Sequence, residues 1–234
     1  MSRGYCDVAT YVTSDLHLNH FSIIDFERWN LDRNGLSYID TLQQYNEMVV
    51  RNVNLTVNPS DTLYILGDFA FGGSDVIRRF LSQINGYKIL VKGNHDRYSV
   101  ESALRMGFDE AYDHPIYLPG TKGKILLSHY PAREALDNPY IVHNLHGHIH
   151  GGYLDLPNFR NVNIAMNGYY PINMETFTKS LDSMGRNRNE PWLGEWFAKY
   201  QVFKSGNPDI VVDQSGKIDL EGTISLTKSK NRLT

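Results

Sequence analysis

The chain has 234 residues, 41% hydrophobic and 21% charged, which suits one domain with a sizeable core and excludes a disordered chain. A net charge of −3 offers no overall basic surface for nucleic acid or an anionic membrane, and the single cysteine, Cys6, excludes an intrachain disulfide. No apolar run approaches the ~20 residues that span a bilayer, and residues 1–11 lack a signal-peptide pattern, so a cytoplasmic protein with no membrane partner is expected.

Residues 8–13 read as a buried strand that ends at Ser14-Asp15. Over 39–53, Ile39, Leu42, Tyr45, Val49 and Val53 recur at steps of three to four, which predicts a helix with Asp40 near its cap. Residues 61–66 form a short apolar run stopped by Gly67-Asp68. Residues 69–73 suggest a flexible loop, and a helix starts at Ser74 and ends before Gly86. Residues 87–91 are strand-like and stop at Gly93-Asn94, and 99–106 predicts a helix closed by Gly107. Short strands are expected at 124–127, 141–145 and 161–165. Strands alternating with helices at this spacing give an α/β fold with a buried sheet. Beyond residue 181 the pattern changes. A polar loop at 183–191, a helix and small hairpin within 192–226, and a frayed tail at 227–234 make a C-terminal extension, 182–234, to a domain over 1–181.

The polar residues that could carry chemistry follow the carboxyl ends of predicted strands, where open α/β sheets bind ligands. Five segments do so: Ser14-Asp15-Leu16-His17, Gly67-Asp68, Gly93-Asn94-His95-Asp96, Ser128-His129-Tyr130 and His146-Gly147-His148-Ile149-His150. Taken singly, each has a plain structural reading: Asp15 and His17 as a polar strand end, Gly67-Asp68 as a turn, His129 as a satisfied core histidine. On an extended backbone, however, residues two apart point to one side, so Asp15 with His17, and His148 with His150, could each chelate. The conjunction decides between these readings. Most of the nine histidines lie at these points, and the set mixes oxygen and nitrogen donors without thiolate. Such a set suits catalytic divalent ions rather than a structural thiolate site, and seven candidates are about right for two ions that share a bridge.

In this order, Asp-x-His, Gly-Asp, Gly-Asn-His-Asp, His and Gly-His-x-His resemble the signature of calcineurin-like metallophosphoesterases, in a small bacterial or phage-type branch. The resemblance covers residues 8–181 and implies a four-layer αββα sandwich. It implies that Asp15, His17 and His150 hold one metal, that Asn94, His129 and His148 hold a second, and that Asp68 bridges them. His95 then corresponds to the catalytic histidine, and Asp96, in the same catalytic motif, orients a neighbour. The implied cofactors are two divalent ions, manganese first, with iron, zinc, nickel or magnesium as the other candidates. The implied reaction is attack on a phosphate ester by a metal-bridging hydroxide, on a phosphodiester or nucleotide-type small substrate. His20 and Arg97 are candidate phosphate contacts; His20 reads equally as a surface or capping histidine, and Arg97 reads more readily as an exposed arginine. The segment Phe69-Ala70-Phe71 lacks the acidic and arginine residues that protein phosphatases of this superfamily carry there, which argues against that role. A non-catalytic metal-binding interaction module on the same fold is the rival, and it predicts lost ligands. Nucleic acid is not indicated, and the oligomeric state is open.

Overall fold

Five strands and four helices alternate along the first half of the chain: β1 (Thr10–Thr13), α1 (Ile23–Arg33), α2 (Leu42–Thr56), β2 (Thr62–Ile65), α3 (Ser74–Leu81), β3 (Tyr87–Val91), α4 (Val100–Met106), β4 (Glu110–Tyr112) and β5 (Ile116–Pro119). There follow β6 (Lys124–Ser128), α5 (Glu134–Asp137), β7 (Ile141–His146), β8 (Phe159–Asn161), a 3-10 turn (Ile164–Asn167) and β9 (Ile172–Asn173). This computed structural model describes residues 8–177 except Tyr153, Asp155 and Pro157, so the expected C-terminal extension over 182–234 lies outside the described residues.

The strands form two sheets. One has the order β4-β3-β2-β1-β9, parallel except for β9; the other has the order β5-β6-β7-β8, parallel except for β5. Period-two alternation assigns their side chains to separate cores. Leu63, Ile65 and Leu90 face the helices of the first half, in a core with Val49, Val53, Phe80 and Met106. Val12, Leu66 and Val91 face the other way and meet Ile125, Leu127 and Leu145 of the second sheet. Leu126, Ile141 and Phe159 point outward from the second sheet and pack with Ala135 of α5. The order of layers is therefore helix, sheet, sheet, helix, as the family resemblance implies, with a thin outer layer of four-residue α5 among the described residues.

Several local expectations shift for identifiable reasons. Helix α2 starts later than residue 39 and is capped by Thr41, not Asp40. The Thr41 hydroxyl accepts the Gln44 N–H while the Gln44 side chain accepts the Thr41 N–H, a capping box. The strand expected over 161–165 is replaced by β8 and the 3-10 turn. There the Asn161 side chain accepts the Asn163 N–H and the Asn163 side chain accepts the Ala165 N–H, drawing the backbone away from a sheet ladder. Strands β4 and β5 and helix α1 are additions. The loop at 69–73 is bonded to the first motif loop through Phe71: its N–H donates to Leu18 O at 2.8 Å, and Asn19 Nδ2 donates to Phe71 O at 2.9 Å.

Candidate metal centre

The pairing registers align the strand ends. Thr13 lies beside Ile65, Ile65 beside Leu90, Ser128 beside His146, and His146 beside Asn161. Each loop that leaves this edge therefore starts at the same height. The two sheets are joined there as well, through a parallel bridge between Ser14 and Asn163 and the bond from Ser14 N–H to Val162 O at 3.2 Å. The five motif loops are thus brought to one point.

The pairs two residues apart do not converge by extended backbone, as the sequence reading supposed. Asp15 has φ 56°, His17 φ 45°, His148 φ 69° and His150 φ 46°, all left-handed, as is Asp68 at φ 55°. Among the described residues, the other non-glycine positions of this kind are Asn19 and Tyr169. Each such residue costs on the order of 1–2 kcal/mol, so strain is concentrated at the candidate ligand positions. The motif glycines permit the close approach. A Cβ on Gly93 would collide with the Asp68 carboxylate and lie 2.9 Å from the His129 ring, and a Cβ on Gly147 would collide with the Asp15 carboxylate and Ser14 Oγ. At Gly67, φ is +86° and a Cβ would meet His129 Nδ1 at 2.5 Å.

Two clusters result. In the first, His17 Nε2 lies 3.7 Å from Asp15 Oδ1, and the His17 and His150 rings stack with centroids 5.1 Å apart. The candidate ligand atoms of Asp15, His17 and His150 lie within 4.8 Å of one another. In the second, Asn94 Oδ1 is 2.8 Å from His129 Nε2 and 3.1 Å from His148 Nδ1, and the two ring nitrogens are 3.2 Å apart. His129 Nδ1–H donates to Leu66 O at 2.8 Å, which leaves Nε2 with its lone pair. Donors at ~2.1 Å from one ion lie roughly 3.0–3.4 Å apart, so this triplet fits a cation. His17 Nε2 is buried without a hydrogen-bond partner among the described residues, again as a ligand atom would be. Between the clusters, Asp68 Oδ2 is 3.6 Å from His129 Nε2 and 3.9 Å from His17 Nε2.

His95 is 35% exposed, with Nε2 4.0 Å from Asp68 Oδ2, and its backbone N–H donates to Asp68 Oδ1 at 2.9 Å. Asp96 is buried and turned away from the opening. Its carboxylate accepts the backbone N–H groups of Asp68 (2.8 Å), Phe69 (3.2 Å) and Gly93 (2.9 Å) and the Tyr98 hydroxyl (3.0 Å), so it ties two motif loops together. His20 packs edge-on against Phe71 at 4.3 Å, and its Nδ1 has no hydrogen-bond partner among the described residues. Arg97 is exposed and lines a cleft of ≈ 580 Å³ with His95, Phe71, Ser74, Ile77 and Tyr98.

Three neighbours escaped the sequence reading. Phe71 stacks on His17 (5.5 Å) and leans on His95 (5.0 Å). The Tyr130 ring covers the edges of His129 (4.9 Å) and His148 (4.5 Å). Glu27 Oε1 lies 3.7 Å from His150 Nδ1. A signal existed for Phe71 and Tyr130, which adjoin motif residues, but none for Glu27.

Electrostatics separates the carboxylates. Burial raises Asp15, but the adjacent His17 and the charges of His129 and His150 outweigh it and hold the carboxyl well below its usual range. For Asp68 burial prevails over His129 and His17, and the carboxyl is raised. Burial lowers His129, yet Asp68 and Asp15 turn the balance and raise it; His150 likewise rises to about 9, through Glu27 and Asp15 against burial. His95 and His20 each fall to about 4, from burial and then from neighbouring histidines.

The calcineurin-like phosphoesterase family model matches residues 9–225. The uncharacterised protein MJ1445 of Methanocaldococcus jannaschii is 24% identical over 185 residues, 74% of this chain and 90% of that protein. The crystal structure of a protein of unknown function from Aquifex aeolicus, AQ665, superposes with a TM-score of 0.58 at 27% identity, covering 74% of this chain and all of that one (100%). Among the described residues, no helix is long and apolar enough to cross a membrane. With its five motif loops on one edge of a two-sheet sandwich and a family match over most of its length, the chain belongs to the calcineurin-like phosphoesterase family.

Proposed function

We propose that this phosphoesterase hydrolyses a phosphodiester or nucleotide-type phosphate ester with two divalent ions. Asp15, His17 and His150 hold one ion, Asn94, His129 and His148 hold the other, and Asp68 serves both. The observation that carries this reading is the triplet of Asn94 Oδ1, His129 Nε2 and His148 Nδ1, within 3.2 Å of one another, together with a buried His17 Nε2 that has no hydrogen-bond partner among the described residues. Ions bound there supply positive charge for the phosphoryl oxygens and lower the pKa of a water. The protein's own part is to hold the ligands, to exclude bulk water from the buried floor, and to present His95 at the opening. The cleft beyond His95 supports a diester or nucleotide, because Phe71 and Ile77 give a leaving group an apolar wall and Arg97 a cation. Manganese is the first metal to supply, and a cytoplasmic site of action is expected.

The test is turnover of bis-p-nitrophenyl phosphate against p-nitrophenyl phosphate, with added Mn²⁺ and with EDTA. EDTA-sensitive hydrolysis, faster on the diester, is the expected result. Bound metal without turnover of either ester or of nucleotides would move the chain to the interaction-module reading.

Metal loading should depend on pH in a stated direction. His150 is raised to about 9, through Glu27 and Asp15, so it holds its second ring proton at neutral pH in the metal-free protein, and His129 is raised in the same direction. An ion needs those lone pairs, so binding releases protons. Affinity should rise from about pH 6 to about pH 9 and weaken below. Chelator-competition titration across that range measures it, and a flat profile would remove the two histidines from the ligand set.

A further inference from the structure

We infer that Glu27, on α1, is a positioning residue that fixes the His150 ring for its ion and sets the affinity of the Asp15–His17–His150 site; this rests on the two-ion reading above. Its side chain is 4% exposed, on a helix face that otherwise buries Ile23, Asn30 and Leu31. Oε2 accepts Asn30 Nδ2–H at 2.7 Å and the Tyr169 hydroxyl at 3.4 Å, which turns Oε1 toward His150 Nδ1 at 3.7 Å. A buried carboxylate costs stability unless it is paired, and an apolar side chain would fill this helix face more cheaply. What Glu27 does that an apolar residue cannot is engage the His150 ring. The Oε1 charge, 3.7 Å from Nδ1, favours the tautomer with its proton on Nδ1, which leaves Nε2 the lone pair an ion requires. His150 needs such support: it sits on a left-handed backbone, φ 46°, and its ring is steadied on the other side by stacking on His17 at 5.1 Å. Carboxylates in this position behind a histidine ligand typically contribute 10–100-fold to metal affinity.

The experiment compares wild type, Glu27→Gln and Glu27→Ala by chelator competition with Zn²⁺, resolving both ions, alongside thermal melts and ¹⁵N ring shifts of His150 in the zinc-loaded protein. Tyr169→Phe removes a different Glu27 contact and is the structural control. Glu27→Ala should weaken one ion ~10–100-fold and leave the other within error, and His150 should lose its Nδ1–H tautomer. Glu27→Gln keeps an acceptor for Nδ1–H without the charge and should fall between; it also carries the test if the alanine variant does not fold. Tyr169→Phe should bind both ions as wild type does. Wild-type affinity and tautomer in both Glu27 variants would overturn the inference, as would equal weakening of the two ions. A wild-type protein that binds no ions would instead overturn the two-ion reading on which it rests.

Discussion

Asp68→Asn should abolish EDTA-sensitive hydrolysis, with a loss of at least ~10⁴-fold, beyond the ~10²–10⁴-fold typical of a lost proton donor. One atom explains why. Asp68 Oδ2 lies within 4.0 Å of ring nitrogens from three loops, His129, His17 and His95. Asparagine keeps Oδ1, which accepts the His95 N–H, and places an amide NH₂ at Oδ2. That group donates where a ligand must accept, so on the proposed two-ion reading both ions would lose a donor at once. Stability should move the other way. The Asp68 carboxyl is raised, chiefly by burial, with Asp15 and Asp96 adding to it. An acid whose folded pKa lies above its unfolded value costs stability wherever it ionises, so near neutral pH the metal-free variant should melt no lower than metal-free wild type. Metal content by elemental analysis, turnover and a melt make the set. Turnover within tenfold of wild type would remove Asp68 from the bridging position.

How much of this was legible in the sequence depends on what kind of information each feature uses. The candidate ligand loops were legible because polar residues follow the strand ends and small residues precede them: Gly67, Gly93 and Gly147 stand where a Cβ would strike His129, Asp68 or Asp15. The backbone that aims the donors was not. Asp15, His17, Asp68, His148 and His150 adopt left-handed φ at non-glycine positions, against local preference, and only the packed loops enforce it. Two-apart spacing pointed to residues that do lie together, but the backbone that brings them there is not the extended one.

The same division runs through the fold. Buried strands β2, β3, β6 and β7 announce themselves as apolar runs, whereas β4, Glu110-Ala111-Tyr112, is half-buried along its length and exists through its pairing with β3. Helix α1 hides because its inward face alternates Ile23 and Leu31 with Glu27 and Asn30, so its apolar stripe is broken by the group that reaches His150. For α2, apolar periodicity ran past the cap: Ile39 is buried, but it packs in the turn before Thr41 starts the helix. Tertiary demand, in each case, overrides a local pattern.

His95→Ala should lower kcat by ~10²–10⁴-fold while leaving metal content unchanged. His95 stands at the mouth of the site, 35% exposed, with its ring leaning on Phe71 and its Nε2 4.0 Å from Asp68 Oδ2, but in neither ligand cluster. Two roles fit that place, and leaving-group chemistry divides them. If His95 gives a proton to the departing oxygen, the loss is small for p-nitrophenolate and grows for an alkoxide leaving group. If it steadies the phosphoryl oxygens, the loss is the same for both. The pKa adds a second axis. Burial and the neighbouring histidines hold His95 at about 4, so the free protein carries a neutral ring at pH 7. Should the reaction require the protonated ring, the ratio of wild-type to variant kcat/KM falls as pH rises above about 4; should the neutral ring suffice as a donor, that ratio stays flat. Taking the ratio cancels the pH dependence of the ions, which both proteins share. A variant with full activity would place the proton donor elsewhere, and the cleft-lining Tyr98 and Arg97 would be the next groups to remove.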